Sequence, residues 1–66
     1  MRIFVNGEPE SFDNPVTVAG LIERLGLAGK RVAVEVNREL VPRSRHAELE
    51  LRDNDQVEIV VAIGGG

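Results

Sequence analysis

The sequence contains no cysteine and only one histidine, one methionine and three prolines in 66 residues. Without cysteine there is no disulfide to staple a small core, no thiolate to hold a metal and no thiol nucleophile. Nowhere does an apolar run approach the roughly 20 residues that a membrane-spanning helix needs. The opening "MRIFVNGEPE" reaches charged residues too soon for a signal peptide or anchor, so a soluble, cytoplasmic protein is expected. Eight Lys and Arg against eleven Asp and Glu give a formal charge of −3, and the basic residues form no stripe, which argues against a nucleic-acid partner. A chain of this length makes one domain near the lower limit of independent folding, burying roughly 60 % of the surface its unfolded form exposes. It leaves no room for an enclosed, many-walled active site.

The residues that are present fall into short periodic blocks. In Arg2–Asn6, Ile3 and Val5 alternate with Arg2, Phe4 and Asn6, the period of a half-buried strand. Asn6-Gly7 is a strong hairpin signal, with "PESF" returning as a second strand. From Val18 the period changes: Val18, Leu21, Ile22 and Leu25 share one helical face. Thr17 is placed as the N-cap, Val16 and Leu21 as a hydrophobic staple, and Gly26 as the left-handed residue that ends the helix. Gly20 inside the helix costs about 1 kcal/mol relative to Ala, which points to a solvent-facing position or a close backbone approach.

"RVAVEVN" alternates again, with Val32, Val34 and Val36 on one face and Ala33 and Glu35 on the other. A turn leads to Leu40 and Val41, and Pro42 closes that segment. "RSRHAE" reads as a surface connection, "LEL" as a brief strand and "DNDQ" as a turn in which Asn54 takes a positive φ. The last strand, "VEIVVAI", places Val57, Ile59 and Val61 on one face and Glu58, Val60 and Ala62 on the other. The expected architecture is α+β, a mixed sheet of four to five strands with one helix packed across it. Residues 1–63 form the domain and 64–66 a flexible glycine tail.

Few side chains suggest chemistry. His46 has no nucleophile or orienting group to make it a general base, so it is expected at a solvated surface. Glu8, Glu10 and Asp13 read as a solvated acidic face, and no metal-ligand spacing appears. Pro42–Arg45 reads as a solvated loop or as a small basic contact, since arginine pairs bidentately with carboxylates and phosphates. Phe4 lies opposite the core side of the first strand, and Val60 and Ala62 opposite that of the last. If those strands are neighbours, the three make an exposed apolar patch of the kind that marks a protein contact; scattered surface hydrophobes are the alternative.

The ending, "VVAIGGG", is the strongest signal. Glycine has no Cβ, so such a backbone passes through a channel too narrow for side chains and leaves a terminal carboxylate unshielded. Activation of that carboxylate by ATP suits this design, with a partner gripping the extended segment behind it. A frayed end is the alternative.

The ordered set of blocks resembles the β-grasp, ubiquitin-like proteins. "VTVAGLIERLGL" and "VAVEVNRELVPRSRH…LRDNDQVEIVVAIGGG" are similar to a narrower branch, the ThiS sulfur carriers of thiamine biosynthesis. The resemblance implies a co-substrate with no active site and no bound cofactor of its own. Its reactive group is the carboxylate of Gly66, carried on Gly64 and Gly65. An E1-like adenylyltransferase uses ATP to activate it, a sulfur donor such as a cysteine desulfurase relay converts it to a thiocarboxylate, and a thiazole synthase takes the sulfur. Phe4, Val60, Ala62 and Ile63 are the expected docking residues for these partners. Asn54 stands where that family usually has glycine, and the third glycine leaves open whether the end is trimmed. A molybdopterin synthase small subunit, a ubiquitin-like tag and a plain β-grasp binding module are the alternatives.

Overall fold

The computed structural model describes residues 1–62; the expectations placed on Ile63, Gly64, Gly65 and Gly66 lie outside the described residues. Two tight turns set its geometry. Strands β1 (Arg2–Val5) and β2 (Glu8–Ser11) pair antiparallel around Asn6 and Gly7, whose φ values of 52° and 86° match the right-handed twist of the flanking strands. Strands β3 (Val32–Val36) and β4 (Glu39–Val41) do the same around Asn37 and Arg38, at φ 51° and 70°. Asn favours this left-handed region, whereas Arg38 occupies it against the steric preference of a side chain with a Cβ.

Helix α1 (Val18–Arg24) is bounded by the signals expected of it. The Thr17 hydroxyl accepts the Gly20 N–H at 3.0 Å, satisfying one of the free amides of the first turn. At the other end Gly26, at φ 75°, donates to the Glu23 carbonyl, and Leu27 donates to that of Ile22, the paired bonds of a Schellman motif. Gly20 is explained by close approach: a Cβ there would lie 3.0 Å from Cγ2 of Val16. The helix buries Val18, Leu21 and Ile22 against the sheet, where they meet Ile3, Val5, Val34, Val57 and Ile59. Phe12 and Leu51 close the core at its margins, with the Arg24 guanidinium 4.8 Å from the centre of the Phe12 ring.

The final strand, β5 (Gln56–Val61), enters the middle of the sheet, giving the order β2-β1-β5-β3-β4. It runs parallel to β1 and antiparallel to β3. Two expectations are corrected between Pro42 and Leu51. The residues "LEL" form no strand; they make a single bridge, Thr17 to Glu50, because the segment serves the start of α1 instead. There Val18 and Ala19 donate to the carbonyls of Leu49 and His46. His46 is also not solvated but buried. Pro42 and a short 3₁₀ turn (Arg43–Arg45) reverse the chain so that the imidazole folds inward, where its Nε2–H donates to the Val41 carbonyl at 3.2 Å.

Candidate functional site

The candidate site is the stretch of β5 that leads to the terminal glycines. Its start is anchored from both sides. Phe4 N–H donates to the Asp55 carbonyl at 2.9 Å and Asn54 N–H to that of Arg2 at 2.7 Å. The Asp55 carboxylate accepts from Arg52 N–H and from Nδ2 of Asn37, while the Asn37 Oδ1 takes the Gln56 N–H. Asn54, at φ 71°, fills the left-handed turn position where glycine is usual in the family the sequence resembles. The strand therefore sets out in a fixed direction.

Further along, β3 continues to hold it: Ala33 faces Val60, Val32 faces Val61, and Ala62 N–H reaches the Arg31 carbonyl at 2.9 Å. This pins the chain to within one residue of Ile63. On the other side β1 has already ended, and the Asn6 carboxamide takes its place, accepting from Ile59 N–H at 2.9 Å and donating to the Ile59 carbonyl at 3.2 Å. A side-chain amide has the donor and acceptor of a peptide group, so it supplies one more rung after the backbone has turned away.

On the outer face, β1 and β5 are neighbours, but the register does not bring Phe4 to Val60 and Ala62. Phe4 lies beside Gln56, with Glu58 intervening before Val60, an offset of about 13 Å along the strand. The Phe4 ring is also half-buried, with the Arg2 guanidinium 5.4 Å from its centre. Val60, by contrast, is 64 % exposed and stands beside Ala33, with Ala62 following it. Leu40, 69 % exposed, extends this apolar area from β4; it lies opposite Glu35, whose other neighbour is Glu58. The surface next to the strand's exit is thus Val60, Ala62, Ala33 and Leu40, bordered by two carboxylates. Sequence reading missed Ala33 and Leu40 because membership depends on cross-strand register.

The remaining candidates are brought nowhere near the exit as a reactive set. Arg43 and Arg45 stay exposed, and Arg45 pairs with Glu48 at 3.2 Å, an exposed contact of little energetic weight. Among the described residues no group of three or more His, Asp or Glu side chains is placed to hold a metal ion. No helix is long and apolar enough to cross a membrane.

A five-stranded mixed sheet crossed by one helix, with its central strand leading into glycines, defines a ubiquitin-like β-grasp domain. The ThiS family model matches residues 3–66, and the chain belongs to the ThiS family. A sulfur carrier protein ThiS from Bacillus subtilis is 42 % identical over 50 residues, covering 76 % of each chain. The crystal structure of the thiamine biosynthesis protein ThiS from Geobacter metallireducens superposes with a TM-score of 0.83 at 33 % identity, covering all of both chains. A thiazole synthase from Paramagnetospirillum magneticum is 44 % identical over the whole of this chain, which spans 20 % of that relative's length.

Proposed function

We propose that the chain carries sulfur as a thiocarboxylate on Gly66. A partner adenylyltransferase first joins the carboxylate to the α-phosphorus of ATP, releasing pyrophosphate; a persulfide on a donor such as a cysteine desulfurase relay then displaces AMP to form an acyl disulfide, and a second thiol cleaves its S–S bond, releasing the thiocarboxylate and leaving a disulfide between the two thiols. The resulting thiocarboxylate gives its sulfur to a thiazole synthase. The observation that carries this reading is the family match, which runs through the helix, the central strand and the terminal glycines together. The relative named thiazole synthase, which includes a segment like this chain within one polypeptide, supports such an enzyme as the acceptor.

The physical argument agrees with it. Adenylation replaces a poor leaving group with a good one, and the chemistry belongs to the enzyme that binds ATP, so the carrier has to supply reach and orientation. Three consecutive glycines supply reach through a narrow channel. Clamping of β5 through Ala62 supplies orientation, because the direction of departure is set by the sheet. The exposed surface of Val60, Ala62, Ala33 and Leu40 is the proposed docking area, used in turn by partners that each receive the same tail. The cytoplasm, where ATP is available, is the proposed location.

Intact mass spectrometry tests the proposal. After incubation with ATP, the adenylyltransferase and a sulfide source, one oxygen is exchanged for sulfur, the change maps to Gly66, and it is absent when ATP is withheld. Removal of Gly65 and Gly66 abolishes the exchange without lowering the melting temperature. A truncated chain that still acquires sulfur refutes the assignment of Gly66.

A further inference from the structure

β5 changes from a central strand to an edge strand within its own length. At Gln56 and Val57 it is flanked by β1, and at Ile59 by the Asn6 carboxamide. Backbone groups along a strand alternate in direction. Val61 therefore aims its N–H and C=O to the same side as Ile59, opposite to Ala62, whose N–H goes to β3. No element occupies that side at Val61 among the described residues, because β1 stopped at Val5 and the chain left through the Asn6-Gly7 turn. The open rung is also undefended. Exposed strand edges are commonly protected by charge, proline or a bulge, and here the sequence is Val60-Val61-Ala62.

We propose that the open edge at Val61 receives an extended segment of the adenylyltransferase, which adds to the sheet as a strand in the position that β1 vacates. The inference rests on the function proposed above and specifies how the enzyme grips its substrate. Main-chain pairing ignores side-chain identity, which suits a grip on a stretch that runs into glycines with nothing else to hold. The open rung lies three residues before Gly64, so a segment seated there is close in sequence to the carboxylate. A second copy of the chain is a poorer occupant, since each copy has a net charge of −3.

The test removes a single hydrogen-bond donor. Chemical synthesis of the full chain with an ester in place of the Val60–Val61 amide replaces the Val61 N–H by oxygen and keeps every side chain. A matching ester at Ala62 removes a donor that the fold uses. The Val61 ester melts like the unmodified chain, whereas the Ala62 ester melts lower. The dissociation constant for the adenylyltransferase rises about fivefold for the Val61 ester, the effect of one lost hydrogen bond. Equal destabilisation by the two esters overturns the inference, because the Val61 N–H then has a partner within the fold. Unchanged affinity, with both chains adenylated, also overturns it and leaves the proposed function intact. Failure of the unmodified chain to be bound or adenylated removes the proposed function, and the inference with it. Self-association of the unmodified chain that the Val61 ester abolishes assigns the edge to a second copy and overturns the inference.

Discussion

The two ends of β5 are built by different means. At its start, Asp55, Gln56 and Val57 are hydrogen-bonded on both edges, to Phe4 and Asn6 on one and to Asn37 on the other, and the core-facing Val57 is 1 % exposed. At its exit, among the described residues hydrogen bonding continues on the β3 side alone, and Val61, on the same face as Val57, is only half-buried. The start thus spends its residues on position, and the exit leaves groups available to another molecule. Along the six residues of one strand, pairing on both edges gives way to pairing on one.

Substitutions at either end test that contrast. Val57→Ala removes buried methyl groups from the centre of the core and lowers unfolding free energy by about 2 kcal/mol in urea titration, whereas Val60→Ala stays within about 0.5 kcal/mol. Equal losses would show that the outward-facing Val60 is packed as tightly as the inward-facing Val57. Asn6→Asp replaces the Nδ2 donor with an acceptor facing the Ile59 carbonyl. It costs about 1 kcal/mol, and amide exchange at Ile59 and its neighbours quickens while that at Val57 does not. Uniform quickening along β5 would erase the proposed boundary. Val60→Asp has the smallest effect on folding, with the melting temperature nearly unchanged, yet lowers kcat/KM for adenylation about tenfold because docking must strip water from a new carboxylate. Unchanged kinetics would move the docking area away from Val60.

Local features were legible in the sequence where chemistry and position coincide. Asn6-Gly7, Thr17 and Gly26 each serve a function decided by their immediate neighbours, and the structure places all three as read. The alternation Ile3/Val5 and Val57/Ile59 likewise predicts the buried face. What escaped depends on distant partners. His46 reads as a surface residue because it lies in a polar connection with no nucleophile or orienting group to pair with; its burial follows from a chain reversal that brings Val41 within hydrogen-bond reach. Phe4 and Val60 share a face in any alternating reading, but a parallel register fixed by Val5 opposite Val57 holds them apart. Leu40 gave no signal until its pairing with Glu35 showed which way it points. The terminal glycines carried the functional reading through composition and resemblance, and the structure contributes the orientation of the strand before them.

The parallel pairing of β1 with β5 has a consequence for biosynthesis. The strand at the centre of the sheet is the last one the ribosome delivers, so the two hairpins and the helix have no common surface to close upon until Gln56–Val61 has emerged. A chain broken off before that point lacks the middle strand of its sheet. A closed sheet therefore implies a chain read through Val61, three residues short of the first of the glycines.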